Sequence, residues 1–353
     1  MICTFVPLLT DQDNMVKNIG IIGEGKMGTN LLYYLVDMDF NLIWVCSQEA
    51  DPEKLRKTFD KRLIRTLEAG IIDEERFKSI LERINITSVL EDVASCELII
   101  EAISEDLQAK QKLFRIMDSI ACPGCIFTSN SSSIKPSALV PSEKRKDKFA
   151  GLHFFYPIAL KNIVEVILTP ESSKKTLKEI TSFLEIIHRR FLLLDEKDGF
   201  ILNRIFLHFQ NEAFLLVNEK KANIQQIDRI VREHFFPMGV FEFFDSVGLD
   251  IMLASVKNYS KDDPAKERYY PLVEQLQELI SKGRLGLKAK GGFYFEGISS
   301  DPGYPENDAE IIFRLKASYE FAFNRLCKSS GIPAKELKIA MDEYFGSETP
   351  VVY

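Results

Sequence analysis

Three glycines, Gly23, Gly25 and Gly28, follow the apolar run Asn18-Ile19-Gly20-Ile21-Ile22 and open a stretch, Lys26 to Met38, that reads as a helix. A G-x-G-x-x-G at a strand-to-helix turn constrains the fold more than any other feature of this chain. The first glycine makes a tight turn, the second lets backbone approach a pyrophosphate, and the third lets helix pack on strand. The helix N-terminus adds unpaired N–H groups and the positive end of its dipole. Alone the pattern is weak. It gains weight from the apolar residues before it and from a second strand, Leu42 to Val45, one helix length later. A dinucleotide held at Gly23, Gly25, Lys26, Met27 and Gly28 is the expected ligand.

Strand and helix signals alternate beyond this point. Pro52 to Arg83 has helical spacing in two halves separated by Gly70, which predicts a helical hairpin. Further strands are expected at Glu97–Glu101, Ile126–Ser129, Gly151–Phe155 and Ile163–Leu168, with a helix over Leu107–Ile120. Strands separated by helices imply a Rossmann-type, doubly wound α/β sheet, with ligands outside the C-terminal strand ends. From Asp198 onward strand signals stop. Residues 199–217, 224–235, 241–258 and 270–282 read as helices, so an all-helical C-terminal domain follows. The expected organisation is an N-terminal extension over 1–16, a nucleotide-binding domain over 17–196, a helical domain over 197–296 and a helical extension over 297–353. Residues 310–346 loosely echo 200–236, as in Ile201-Leu202-Asn203-Arg204 against Ile311-Ile312-Phe313-Arg314. The extension therefore reads as a partial repeat, or as chance similarity between two amphipathic helix pairs.

A chain of 353 residues can build two domains with real cores. Its net charge of −7 argues against nucleic acid as a main partner. No apolar run approaches the roughly 20 residues of a membrane span. Residues 1–14 lack the pattern of a secretion signal, so a cytoplasmic location is expected. Cys122-Pro-Gly-Cys125 has no second pair or histidine cluster to complete a metal site. It reads as a turn before a strand, in a reducing compartment, with no metal expected.

Four motifs at strand ends and at the domain boundary are more specific than the glycines. They are Ser129-Asn130-Ser131-Ser132-Ser133-Ile134, Gly151-Leu152-His153-Phe154-Phe155-Tyr156-Pro157, Val164-Glu165-Val166-Ile167 and Gly199-Phe200-Ile201-Leu202-Asn203-Arg204. With Glu101-Ala102-Ile103-Ser104-Glu105-Asp106 and the Gly286–Tyr294 segment, they make residues 17 to 295 resemble the 3-hydroxyacyl-CoA dehydrogenase family. The resemblance implies His153 as catalytic base, oriented by Glu165. It implies that Ser132 and Asn203 hydrogen-bond the reacting oxygen and the surroundings of the imidazole. Glu105, Lys110 and Asn130 match positions facing cofactor or substrate. NAD is the implied cofactor, an acyl-CoA the implied substrate, and a homodimer formed through the helical domain the implied assembly. The possible repeat offers an alternative to the dimer, in which it caps that helical surface within one chain.

The chemistry stands on residue types as well. Oxidising a secondary alcohol removes a hydride and a hydroxyl proton. A neutral imidazole takes the proton near pH 7, and a carboxylate on its other nitrogen fixes the tautomer. Ser and Asn donors stabilise charge on the carbonyl oxygen in the reverse direction. A carboxylate in an apolar strand, as at Glu165, also needs a partner. His188, His208 and His234 read as structural, and the charged run Lys144-Arg145-Lys146-Asp147-Lys148 as a solvated face.

Several positions depart from the family pattern. Cys46, followed by Ser47, stands where an acid normally ends the second strand and binds the adenosine ribose. No carboxylate is then expected there to repel a 2′-phosphate, which leaves NADP open beside NAD. Asn30 replaces a small residue after the glycines, which suggests looser helix–strand packing. Tyr156 replaces the usual Asn beside the base and should reshape the acyl pocket. These changes keep three other readings open: the same chemistry on an acyl-carrier-protein thioester, the same chemistry on a free 3-hydroxy (sugar) acid, and a nucleotide-binding protein without catalysis.

Overall fold

The computed structural model describes residues 16–261, 263–289, 291–295 and 307–349. The expected N-terminal extension, apart from Val16, lies outside the described residues, as do residues 297–306 and 350–353 of the expected C-terminal extension. The chain divides into two units after Gly199.

The first unit is built on one eight-stranded sheet. Its strands are β1 (Asn18–Ile22), β2 (Asn41–Val45), β3 (Ile84–Thr87), β4 (Leu98–Glu101), β5 (Ile126–Ser129), β6 (Phe149–Phe154), β7 (Ile163–Leu168) and β8 (Arg190–Asp195), in the order β3-β2-β1-β4-β5-β6-β7-β8. Helices α1 (Lys26–Leu35), α2 (Pro52–Glu68), α3 (Glu74–Arg83), α4 (Leu107–Ile120) and α5 (Lys174–Ile186) make the connections. Leu98 and Ile100 pack in one apolar cluster and Ile99 in another, so alternate residues of β4 feed opposite faces. The chain reverses its winding at β1, between β2 and β4, which is where a doubly wound sheet opens a crevice.

Two features of the sheet differ from the sequence reading. Strand β3, four residues long, directly follows α3, and β8 starts shortly after α5 ends, so helical periodicity hides both. The pair β6/β7 is antiparallel while the other pairs are parallel. Residues 155–162 are too few for the crossover that a parallel return requires.

Helix α2 is set by Asp51, whose carboxylate accepts from the Glu53 and Lys54 amides, and by Pro52 in its first turn. Gly70, at φ +66°, turns the hairpin, and Asp73 caps α3.

The second unit holds α6 (Ile201–Asn218), α7 (Ile224–His234), α8 (Val240–Val247), α9 (Leu249–Ser260), α10 (Tyr270–Ser281), α11 (Asp308–Ser330) and α12 (Ala334–Phe345). The single helix expected over 241–258 breaks at Gly248, whose φ of +105° no helix tolerates. Helix α6 is buried on nearly every side, as a central helix must be. Helix α11 lies against it. Arg314 donates to Glu212 and Glu219, both at 2.7 Å, and the Ser318 hydroxyl donates to the His208 carbonyl. The Phe236 and Phe345 rings stack at 3.9 Å. No helix among the described residues is long and apolar enough to cross a membrane.

Candidate active site

The glycine turn leaves the end of β1. Gly23 has φ +115°, and a Cβ there would lie 2.6 Å from the Ala102 carbonyl oxygen. A Cβ on Gly28 would lie 1.9 Å from the Gly23 carbonyl oxygen, so helix and turn touch through hydrogen alone. The Trp44 indole N–H donates to that same carbonyl at 2.9 Å. Gly25 is different: a Cβ there would meet nothing within 4 Å. It caps α1 without a side-chain hydrogen bond, and the first turn of α1 carries no acid. An open cradle at a bare, uncontested helix N-terminus fits a pyrophosphate. Lys26 and Met27 form the first turn of α1, with Lys26 exposed and Met27 against the core. Asn30 links α1 to a neighbouring loop. Its Oδ1 accepts from the Ile158 amide at 3.0 Å, tying α1 to the loop after β6.

Beside the turn, the ends of β4 and β5 carry a buried polar cluster. Glu101 and Ser129 face each other across the strands, and the Ser129 hydroxyl donates to Glu101 Oε2 at 2.5 Å. Lys110, fully buried on α4, places Nζ 2.5 Å from Glu101 Oε1 and 3.7 Å from Glu105. Glu105 Oε1 accepts from the Ser131 hydroxyl, the Ser132 amide, and the Ser133 amide and hydroxyl, at 2.6 to 3.1 Å. Burial pushes the Glu105 carboxyl up, but the Lys110 ammonium and the bonds from Ser131 and Ser133 outweigh it and hold it low. Asn130 Oδ1 accepts from the Phe154 amide at 2.8 Å, which fixes the end of β6 to the end of β5. The sequence reading missed Glu101. A carboxylate closing an apolar strand nine residues before Lys110 was the signal.

His153 and Glu165 pair across β6 and β7, with Nδ1 to Oε2 at 2.7 Å, both buried. The Phe155 ring lies 4.3 Å from the imidazole. Tyr156 is 54% exposed. β6 runs parallel to β5, so His153 lies toward the same sheet edge as the ends of β1, β4 and β5. Asn203 belongs to the second unit, in the first turn of α6, where Nδ2 donates to the Tyr259 hydroxyl at 2.8 Å.

At the end of β2, Cys46 is buried and its thiol donates to the Thr87 carbonyl at 3.3 Å. The expectation that no carboxylate stands here is corrected. Glu24, inside the glycine turn, reaches over to Ser47. Its Oε1 accepts from the Ser47 hydroxyl at 2.7 Å and its Oε2 from the Ser47 amide at 3.0 Å. Partial burial pushes this carboxyl up, but the Ser47 bonds outweigh it and the group sits below the usual carboxylate range.

Cys122 and Cys125 are free, and burial pushes Cys125 above the ordinary thiol range and the neighbouring Cys96 up to about 12. Among the described residues, no group of three or more His, Cys, Asp or Glu side chains is arranged to hold a metal. Arg145 corrects the reading of its charged run as solvated. It is buried, bonded to Asp118 at 2.9 Å and to the Cys125 carbonyl at 2.6 Å, with its guanidinium over the Phe127 ring.

Comparison with known proteins bears on the same residues. The 3-hydroxyacyl-CoA dehydrogenase NAD binding domain matches residues 18–197, and the C-terminal domain of that family matches residues 199–296. The mitochondrial hydroxyacyl-coenzyme A dehydrogenase of Homo sapiens is 32% identical over 290 residues, covering 79% of this chain and 91% of that protein. A probable 3-hydroxybutyryl-CoA dehydrogenase of Bacillus subtilis is 31% identical over 284 residues, covering 79% and 97%. The crystal structure of (S)-3-hydroxybutyryl-CoA dehydrogenase from Ralstonia eutropha superposes with a TM-score of 0.70 at 28% identity, covering 79% and 99%. Helices α11 and α12 lie beyond the matched domains. With a nucleotide cradle at the switch point and two matched domains in succession, this chain belongs to the 3-hydroxyacyl-CoA dehydrogenase family.

Proposed function

We propose that His153 is the general base of an NAD-dependent 3-hydroxyacyl thioester dehydrogenase and that Glu165 orients it. The observation that carries this reading is the buried 2.7 Å pair of His153 Nδ1 and Glu165 Oε2 at the edge where the strands end. With Glu165 accepting from Nδ1–H, the proton acceptor is Nε2, which takes the substrate hydroxyl proton. Glu165 then stabilises the imidazolium that forms. Bound NAD supplies the acceptor for the hydride. By the family pattern, Ser132 and Asn203 hydrogen-bond the reacting oxygen and the surroundings of the imidazole, and stabilise charge on that oxygen in the reverse direction. Glu105 and Lys110 act together with Glu101 to hold Ser131, Ser132 and Ser133 in place, and Asn130 sets the end of β6.

The substrate is an L-3-hydroxyacyl-CoA, converted reversibly to its 3-oxoacyl form. The test follows reduced-nicotinamide absorbance with acetoacetyl-CoA, the same acyl group on a carrier protein, and free 3-hydroxy acids. Turnover fastest with the CoA thioester supports this substrate. Turnover only on the carrier protein or the free acid replaces it, and nucleotide binding without any turnover favours the non-catalytic reading. Free buried thiols such as Cys96 and Cys125 fit a reducing compartment, and the cytoplasm is the proposed location. A homodimer is the proposed assembly. Light scattering at the 40.4 kDa of one chain would instead assign α11 and α12 the role of an internal cap.

A further inference from the structure

We infer that Glu24 sets this enzyme's preference for NAD over NADP, taking over the adenosine ribose from the acid that the end of β2 lacks. The inference rests on the nucleotide site at the glycine turn. A ribose diol presents two O–H donors and is held by a carboxylate in such sites, whereas a 2′-phosphate needs cations. Cys46 cannot serve: its thiol is buried and spent on the Thr87 carbonyl. Glu24 stands one residue after the Gly23 that turns the chain and one before the Gly25 that opens the cradle. Its carboxylate is anchored by both oxygens to Ser47, the residue after Cys46, through the hydroxyl at 2.7 Å and the amide at 3.0 Å.

That anchoring fixes the charge beside the end of β2. It also uses only part of the group's capacity. An ionised carboxylate offers about four acceptor positions, and Ser47 fills two, which leaves enough for a diol. Asp51 adds a second negative charge close by, at the N-cap of α2. Among the described residues no lysine or arginine pairs with Glu24. A 2′-phosphate would therefore meet two carboxylates. The missing acid has moved from the second strand into the glycine turn, and the discrimination against NADP moves with it.

The test is calorimetric titration of the full-length protein with NAD and NADP, which reads affinity without turnover. Wild type should bind NAD more tightly than NADP. E24Q should weaken NAD about tenfold, the loss of charge-assisted hydrogen bonds, while NADP binding stays level or tightens. The double variant E24Q/C46D, which returns an acid to the strand, should recover the NAD preference. An unchanged NAD-to-NADP ratio in E24Q overturns the inference and leaves the nucleotide site standing. Wild-type protein that binds neither nucleotide overturns both.

Discussion

His153 and Glu165 occupy directly opposed positions on β6 and β7, the antiparallel pair of an otherwise parallel sheet. Cross-strand partners in an antiparallel pair share a face and lie side by side. The turn through residues 155–162 therefore brings an imidazole and a carboxylate together across twelve residues of sequence. Neighbouring hydrogen bonds, donated by the Phe154 amide to Asn130 Oδ1 and by the Ile158 amide to Asn30 Oδ1, hold the start and the middle of the segment.

His153→Gln should lower kcat by about 100-fold or more, the usual contribution of a positioned general base, and leave NAD affinity nearly unchanged. Glu165→Gln should lower kcat less and move the pH–rate profile, because it acts through the imidazole. Steady-state kinetics across pH and nucleotide titration check both. A His153→Gln enzyme with full turnover removes the histidine from the mechanism.

The glycines should separate by function. Gly25→Ala has room and an extended backbone at φ −66°, ψ −178°. It should fold normally and weaken NAD by about tenfold or more, as one charge-assisted hydrogen bond or more is lost. Gly28→Ala would drive its methyl into the Gly23 carbonyl and should cost about 2 kcal/mol or more of stability, as overpacking does. Denaturant unfolding and nucleotide titration on the two variants test the contrast.

The buried Lys110–Glu101 pair should be costly to break. Glu101→Gln leaves a buried ammonium underpaired and should destabilise by about 3 kcal/mol, in the range for half-broken buried pairs. Replacing both partners, Glu101→Leu with Lys110→Met, should recover much of that stability while catalysis stays low, because Ser129, Ser131 and Ser132 lose their reference point. Equal stability of the single and double variants would show that the pair carries no such coupling.

Buried His208 should make stability depend on pH. Burial, reinforced by the Arg268 and Arg325 charges, lowers its pKa from 6.5 to about 4. Between those values the unfolded chain carries a proton that the folded chain refuses. Stability therefore falls as pH drops from about 6.5 to about 4, by about 3 kcal/mol in all. His208→Gln should flatten that slope in denaturant unfolding series. A slope unchanged by the substitution assigns the pH dependence elsewhere.

Much of this protein is legible in its residues because the physical signals are local. Ile19, Ile21 and the glycines mark β1 and its turn, and the spacing from Leu107 to Ile120 marks α4. Asp51 and Asp73 announce their helices by capping them. The His153–Glu165 pair is legible because motif and chemistry agree. What escapes is long-range. β3 hides because α3 runs straight into it. The burial of Arg145 depends on Asp118 and on carbonyls of another loop. The role of Glu24 cannot be read from the end of β2, because the fold brings the glycine turn to Ser47 across 23 residues.

Trp44 is the sole tryptophan of the chain, and its indole N–H is tethered to the Gly23 carbonyl. Any nucleotide that settles on the turn must perturb the surroundings of that one fluorophore. The protein thus carries a built-in optical probe, whose emission will report occupancy in real time without a label.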